Sequence, residues 1–137
     1  MWTGGSRLES GKVGAAVAWR EDGGWTERST YQGTNKEVFD AEVFAILRAV
    51  RFLNERNEAG QDYTVFSDSQ AAVAQIRHDD CGPAQALARA VVETSYELRQ
   101  RGCSISVRWT LAHWGVEGNE HADALAKRAA GGSCAGL

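Results

Sequence analysis

Three acidic residues, Glu42, Asp68 and Asp123, occupy positions where a carboxylate could do chemistry. Glu42 comes four residues after Val38 and four before Ile46, within the apolar stripe of a predicted helix, where an unpaired charge is costly. Asp68 follows a short apolar segment, and Asp123 falls in the first turns of the last predicted helix. Clustered carboxylates raise one another's pKa unless a cation joins them, so their convergence predicts a site for Mg²⁺ or Mn²⁺.

Each of the three also has an ordinary structural explanation. Asp68 could cap a helix together with Ser69, and Asp123 could complement the dipole of its own helix. Glu42 could pair with Arg48. Taken singly, the residues leave both interpretations open. Taken together they favour a metal site, because open α/β sheets bind ligands at the carboxyl ends of parallel strands, and two ions about 4 Å apart there would support phosphoryl transfer.

The elements that must position these residues follow from hydrophobic periodicity and turn residues. Apolar residues spaced by three and four predict a helix over 37–56, and strands at 12–19 and 25–31 flank a hairpin turn at Asp22-Gly23-Gly24. A leading strand is expected over 1–6, turning at Gly4-Gly5-Ser6 into residues 7–11. The other predicted elements are a strand at 63–66, a helix at 69–77, a hinge at 78–83, a helix at 84–101, a strand at 105–109, a loop at 110–118 and a helix at 119–130.

This order of elements predicts an α/β fold. We expect a five-stranded mixed sheet whose first three strands are antiparallel, flanked by helices on both faces. The length of 137 residues and a composition of 43% hydrophobic and 24% charged residues suit one globular domain. We expect that domain over residues 1–130 and a flexible tail of small residues over 131–137.

Composition and charge exclude several classes of function. A net charge of -3 removes any argument for nucleic-acid binding from bulk positive charge, so such binding must rest on a local site. No apolar run approaches the roughly 18 residues that cross a bilayer. Because residues 1–5 lack the features of a signal peptide, we expect an intracellular protein, in nucleus or cytoplasm. We also expect a monomer without membrane contact. The three cysteines lack metal-type spacing and are expected as free thiols: Cys81, Cys103 and Cys134.

Four segments resemble, in order, the four motifs of type 1 ribonuclease H. They are WTGGS at 2–6, VFDAE at 38–42, FSDS at 66–69 and HWGVEGNEHAD at 113–123. The resemblance spans nearly the whole chain and is strongest to the ribonuclease H domains of non-LTR retrotransposon reverse transcriptases. It implies the ribonuclease H-like fold and an endonuclease that cuts the RNA strand of an RNA/DNA hybrid. It also implies two Mg²⁺ ions, with Mn²⁺ as a substitute, held by four carboxylates.

The resemblance assigns roles to individual residues. By motif, Glu42, Asp68 and Asp123 are the second, third and fourth carboxylates of the family. His113 matches a mobile histidine that assists proton transfer or product departure. Without the resemblance, His113 is better explained as a solvated loop side chain.

Other positions are candidates for contact with the hybrid. Gly5 and Ser6 match the backbone segment that meets the RNA strand near the cut, although a turn would equally explain Gly5. Further candidate contacts are Arg7, Ser69, Trp114, Asn119, Lys127 and Arg128. Solvated surface charge is the ordinary explanation for the basic residues among them. Two other tryptophans, Trp19 and Trp109, end predicted strands and are expected to pack in the core.

Gly4 is the main departure from the family pattern. The first motif of the family reads Thr-Asp-Gly-Ser, and its aspartate bridges both metals, whereas this chain has Thr3-Gly4-Gly5-Ser6. Glycine supplies neither charge nor a side-chain oxygen, so we expect hydrolysis to fall by about three or more orders of magnitude. Glu9, the nearest other acid, is expected to lie too far along the chain to replace it.

The segment 78–83 is a second departure. It contains no Lys or Arg and two aspartates, where the family has a lysine-rich insertion. Hybrid binding is therefore expected to be modest and salt-dependent, or to be helped by an upstream reverse transcriptase domain. Two alternatives to a nuclease acting on hybrids stay open. One is a non-catalytic binding or connector module of a reverse transcriptase, and the other is a nuclease of the same fold acting on duplex DNA or a junction.

Overall fold

The structure, a computed structural model, describes residues 1–34, 37–78, 84–110 and 117–131. Within those ranges it contains five strands and four helices in the predicted order. They are β1 (Trp2–Arg7), β2 (Lys12–Glu21), β3 (Gly24–Thr34), α1 (Val38–Glu55), β4 (Asp62–Ser67), α2 (Gln70–His78), α3 (Gln85–Gln100), β5 (Ser104–Trp109) and α4 (Glu117–Ala130).

The strands form one mixed sheet in the order β3-β2-β1-β4-β5. β1 and β3 each pair with β2 in antiparallel fashion, and β4 runs parallel to both β1 and β5. The predicted topology is confirmed. The parallel pairs follow from the helical crossovers, since a helix between two strands returns the chain to the same end of the sheet.

Helices cover both faces of this sheet. α1 packs against β1, β2 and β4, and α4 packs against β1, β2 and β3. Successive strand residues point to opposite faces, so Gly4 faces α4 while Gly5 faces α1. The strand β2 is buried along most of its length, from Val13 to Trp19, because it lies inside the sheet under both layers.

The core is larger on the α1 face of the sheet. There, the apolar stripe of α1 packs with β2, β4 and α3, and its buried members are Val43, Ile46, Leu47, Ala49, Val50 and Leu53. Trp19 belongs to this core, as predicted, whereas Trp109 is 42% exposed at the end of the edge strand β5, so its prediction as a core residue is wrong. The only cysteine among the described residues, Cys103, is free and buried, in agreement with the prediction.

The predicted turn at Gly4-Gly5-Ser6 is wrong, because β1 continues through these residues to Arg7. All six β1 residues pair with β2, from Trp2 opposite Ala18 to Arg7 opposite Val13. The chain turns later, where the Leu8 N–H donates to the Lys12 carbonyl at 2.8 Å. Ladder pairing outweighs the turn preference of two glycines here, because each glycine admits a closely packed helix.

The other differences concern the ends of elements. β2 and β3 are longer than predicted, and they are joined by a two-residue turn in which Asp22 and Gly23 both have positive φ, as a type I′ hairpin requires. α4 begins at Glu117, two residues before its predicted start. Cys81, Cys134 and most of the predicted hinge lie outside the described residues. None of the described helices has the length and apolar character needed to cross a bilayer.

Candidate active site

Glu42 is a buried acid on the sheet-facing side of α1, as its place in the apolar stripe predicted. It is 7% exposed. The Gly5 backbone N–H donates to its Oε1 at 2.9 Å, and the Ser67 hydroxyl lies 3.4 Å from its Oε2. Glu42 is in no salt bridge with a described residue, and the Arg48 guanidinium lies over the Phe52 ring instead. The alternative of a Glu42–Arg48 pair is therefore wrong.

Gly5 allows α1 to approach β1 closely enough for this hydrogen bond. A Cβ added at Gly5 would lie 2.8 Å from the Glu42 backbone nitrogen and 3.0 Å from the Ala41 carbonyl carbon. No larger residue fits without a backbone shift. Gly5 therefore has a structural role in the strand, whatever contact it makes with a ligand.

Asp68 follows β4 directly and precedes α2. The Ser67 hydroxyl accepts a hydrogen bond from the Ser69 N–H at 3.1 Å, and the Ser69 hydroxyl accepts one from the Ala72 N–H at 3.2 Å. Ser69 thus caps α2, which fixes the chain where it leaves the strand. On the other side, Trp109 Nε1 donates to the Asp68 carbonyl at 3.3 Å.

Asp123 projects from the second turn of α4. Its Oδ2 lies 3.1 Å from Lys127 Nζ, one helical turn later. Contacts with β3 hold the start of α4 in place: Trp25 Nε1 donates to Glu117 Oε1 at 3.0 Å, and His121 Nδ1 lies 2.7 Å from an oxygen of Glu27. These contacts fix the helix that carries Asp123 over the sheet.

The charges of Asp68 and Asp123 both act on the pKa of Glu42. Burial is the largest cause that raises the pKa of Glu42, to about 8, and the charge of Asp68 raises it further. The hydrogen bonds from Gly5 and Ser67 lower that pKa, and Asp123 raises it by a smaller amount. Glu42 is therefore largely protonated at neutral pH unless a cation offsets its neighbours.

Gly4 lies where β1 passes beneath α4. A Cβ added there would lie 3.0 Å from the Ala122 carbonyl carbon and oxygen and 3.2 Å from the Asp123 nitrogen. Gly4 is thus adjacent to the backbone of Asp123, one of the three predicted ligands. α4 packs directly on the strand at this point.

The candidate ligands suit a divalent cation in kind, because all are carboxylates and two neighbours oppose the charge of buried Glu42. They do not suit it in placement. Among residues 1–34, 37–78, 84–110 and 117–131 there is no group of three or more His, Cys, Asp or Glu side chains placed to hold a metal ion, and Glu42, Asp68 and Asp123 are all within these ranges. Gly4 supplies no side-chain oxygen that could join them.

The other predicted site residues have varied surroundings. Ser6 and Asn119 are buried, at 8% and 2% exposure, so contact of their side chains with a ligand requires their neighbours to move. Arg7 is exposed at the end of β1. Lys127 and Arg128 pair with acids, the latter with Glu27 at 3.6 Å. The predicted residues His113 and Trp114 lie outside the described residues.

Two residues near the site had not been assigned a role from the sequence. Ser67 is completely buried and contacts Glu42, and the only signal for it was its place in the segment FSDS. Trp109 donates a hydrogen bond to the Asp68 backbone, but its position at the end of an alternating strand had indicated core packing. The pairing of β4 with β5 is what brings it there, and that pairing is tertiary.

Comparisons with known proteins bear on the fold and the family. The RNase H family model matches residues 1–131. RNase H1 from the halophilic archaeon Halobacterium salinarum NRC-1 has a similar structure, with a TM-score of 0.69, 21% identity and 96% coverage of both chains. LC9-RNase H1, described as a type 1 RNase H with the type 2 active-site motif, has a TM-score of 0.72 and 19% identity over 98% of this chain and 72% of its own.

A third similar structure is the foamy viral protease-reverse transcriptase in complex with an RNA/DNA hybrid. Its TM-score is 0.70 at 18% identity, over 96% of this chain and 20% of the viral one. A search of curated proteins finds no match. At these identities the structural similarities establish the fold, and the family model, which covers almost the entire sequence, establishes the family. The chain belongs to the RNase H family.

Proposed function

We propose that this protein binds RNA/DNA hybrids and cleaves their RNA strand weakly or not at all. The observation that carries the proposal is the buried acid Glu42, whose pKa is raised by the charges of Asp68 and Asp123. Glu42 lies beside β1, the strand in which Gly4 stands where the family motif has an aspartate. Two similar structures contain a hybrid: the foamy viral enzyme, and LC11-RNase H1, which has a TM-score of 0.64 and 19% identity over 87% of this chain and 89% of its own.

Within this proposal, Glu42, Asp68 and Asp123 are the residues that would hold Mg²⁺, or Mn²⁺ in its place, with two ions in a complete site. The metal supplies charge stabilisation at the phosphate and an activated water when bound. Without a carboxylate at Gly4, that binding is expected to be weak. His113 is proposed to assist turnover.

Other residues of the chain orient the acids. The N–H of Gly5 and the hydroxyl of Ser67 hold both oxygens of Glu42, so the carboxylate keeps one orientation. Lys127 sits on Asp123 and offsets part of its charge. These contacts orient the acidic side chains, which reduces the cost of binding a charged ligand.

A cleavage assay on one RNA/DNA hybrid in Mg²⁺ tests the proposal. The chain with Gly4 is compared with G4D, which adds the carboxylate, and with G4A, a matched control that adds a Cβ without an oxygen. We expect G4D to cleave about three or more orders of magnitude faster than either of the others. Equal rates for G4D and G4A would show that Gly4 is not the missing ligand position.

A non-catalytic connector module of a reverse transcriptase is the second candidate. The observations that favour it are that the described residues contain no group of three or more acids, histidines or cysteines placed to hold a metal, and that the chain is similar to one fifth of a viral protease-reverse transcriptase. A chain of this kind shows no Mg²⁺-dependent cleavage with either Gly or Asp at position 4. We propose an origin next to a reverse transcriptase, with residues 1–130 as the domain and 131–137 as its tail.

The third alternative, activity on another nucleic acid, is separated by substrate choice. G4D is assayed on an RNA/DNA hybrid, duplex RNA, duplex DNA and a four-way junction of matched length. We expect cleavage of the RNA strand of the hybrid alone. Cleavage of duplex DNA or of the junction would contradict the proposed substrate and leave the metal site intact.

A further inference from the structure

A groove of about 500 Å³ lies along β5, the edge strand of the sheet, between this strand, α3 and the last turn of α2. Apolar side chains from all three elements line it, among them Ile76, Val92, Ile105 and Val107. An edge strand presents backbone N–H and C=O groups that no neighbouring strand pairs. The groove therefore places apolar surface next to main-chain hydrogen-bonding groups.

The groove is also positively charged. Arg77, Arg99 and Arg108 line it, one from each element, and none of the described residues that line it is acidic. None of these arginines is in a salt bridge with a described residue. In a chain of net charge -3, three such arginines around one cavity are a marked local excess. An adjoining cavity that Arg77 also lines contains Glu93 together with Arg89.

Two of the arginines are already oriented at the groove. Arg77 Nη2 donates to the Val107 carbonyl at 3.2 Å, which holds its guanidinium against the edge strand. The Arg99 guanidinium lies 5.7 Å from the ring centroid of Tyr96, a side chain that is 57% exposed. An arginine held in this way loses less side-chain freedom when it pairs with a carboxylate.

We propose that this groove binds a short acidic segment of a partner protein, which pairs with β5 as an added strand. In an extended peptide, side chains alternate between two faces. Apolar side chains on one face would enter the groove, and carboxylates would reach the arginines. Main-chain pairing supplies affinity in such complexes, and the side-chain contacts select the sequence.

The same features disfavour nucleic acid as the occupant. A sugar-phosphate backbone is attracted to arginines, but it gains nothing from four aliphatic side chains or from an unpaired strand edge. β5 has six residues, Ser104–Trp109, so the added segment is expected to be of similar length. This proposal does not depend on hydrolysis by the chain.

Fluorescence anisotropy with a synthetic peptide tests the proposal. The probe is fluorescein-labelled Asp-Ile-Asp-Val-Asp-Leu-Asp, and the protein is the full chain. We expect saturable binding that weakens as salt is raised. A probe with Lys in place of each Asp should bind about tenfold or more weakly, because its charge opposes the arginines.

Variants locate the binding site. R99E/R108E, which reverses two exposed charges of the groove, should weaken binding about tenfold or more. R51E makes the same kind of change at an exposed position of α1 outside the groove and should leave binding unchanged. A probe with N-methyl groups at alternate residues keeps its charge but loses main-chain donors, and it too should bind more weakly.

Several results would overturn the proposal. These are absence of saturable binding, equal binding by R99E/R108E, or equal binding by the N-methylated probe. If an RNA/DNA hybrid displaces the peptide and R99E/R108E loses hybrid affinity to the same degree, the groove belongs to a nucleic-acid surface and the proposal is wrong. Circular dichroism checks the fold of each variant, and R108Q provides a milder second variant with the same expected direction.

Discussion

At the scale of single residues, Glu42 is a buried acid whose hydrogen bonds do not fully offset the free-energy cost of burying its charge. The Gly5 N–H and the Ser67 hydroxyl both favour the charged form, yet burial and the neighbouring acids outweigh them and raise the pKa to about 8. The charged form of Glu42 therefore destabilises the folded protein when no cation is bound. Large pKa shifts of this kind are common where a carboxylate has a functional role, because strongly perturbed pKa values are concentrated at functional sites.

The stability of the protein should therefore depend on pH through Glu42. Its pKa is about 8 when folded and 4.5 when exposed, so the folded state holds a proton that the unfolded state has lost. The stability due to this proton is complete below about pH 4.5 and is lost as pH rises through about 8. We expect the free energy of unfolding to fall by on the order of a few kcal/mol across this interval, and E42Q to remove much of the fall.

Urea unfolding at a series of pH values in the presence of EDTA measures this effect. E55Q is the matched control, since Glu55 is an exposed acid on the same helix. The chelator is needed because a bound cation would keep Glu42 charged and flatten the profile. If E42Q and E55Q have the same pH dependence as the unsubstituted chain, Glu42 does not titrate in this range.

At the scale of elements, small residues determine how closely the helices approach the sheet. A Cβ at Gly14 would lie 2.4 Å from the Ala126 carbonyl oxygen and 2.4 Å from the Ala130 nitrogen, so α4 rests directly on β2. α4 contributes mainly alanines to this contact, and Leu125 is its one large buried apolar side chain. Because α4 also carries Asp123, this packing sets the height of that carboxylate over the sheet.

G14A should accordingly destabilise the protein by about 1–3 kcal/mol, because the new methyl group meets backbone atoms that cannot turn aside. G24A is the control, since Gly24 has an ordinary φ and no atom nearer than 3.9 Å to an added Cβ. Thermal unfolding followed by circular dichroism measures both variants. A G14A melting temperature equal to that of G24A would contradict the close packing of α4 on β2.

The cap of α2 is a second test at this scale. The Ser69 hydroxyl accepts a hydrogen bond from the Ala72 N–H, and removal of such a cap costs about 1 kcal/mol. S69A should show this loss in urea unfolding, whereas S69D, which can also cap, should retain most of the stability. If the two variants are equally destabilised, the hydroxyl does not act as the cap.

Sequence patterns predicted the helices better than they predicted β1. The apolar spacing of α1 fixes which face is buried, and so Glu42 was correctly expected inside. Gly4 and Gly5 were misread because glycine marks turns and close packing alike, and only the neighbours Ala41 and Ala122 distinguish the two cases. The contacts of Ser67 and Trp109 depend on which strands pair, which local spacing does not encode.

At the scale of the whole molecule, the candidate site lies where the sheet changes from antiparallel to parallel pairing. β1 is antiparallel to β2 on one side and parallel to β4 on the other, and crevices at such points collect ligands in open α/β sheets. α1 brings Glu42 to one face of β1 at Gly5, and α4 brings Asp123 to the other face at Gly4. Two glycines in succession therefore let two helices meet the same strand.

Restoring the carboxylate should consequently couple metal binding to global stability. Without metal, G4D adds a negative charge near Asp123 and a Cβ only 3.0 Å from the Ala122 carbonyl, so α4 must shift by a few tenths of an ångström and the melting temperature should fall. A cation that binds only the folded state opposes this loss, in proportion to the logarithm of its concentration above Kd. Millimolar Mg²⁺ should raise the melting temperature of G4D more than that of the chain with Gly4.

G4A separates packing from charge in this experiment. Its methyl group makes the same contact with α4 but provides no ligand, so its melting temperature should fall and Mg²⁺ should not restore it. The double variant G4D/D68N should lose most of the Mg²⁺ response of G4D, because a second carboxylate is then missing. If Mg²⁺ stabilises G4A and G4D equally, the ion binds elsewhere on the surface, and the proposed metal site is wrong.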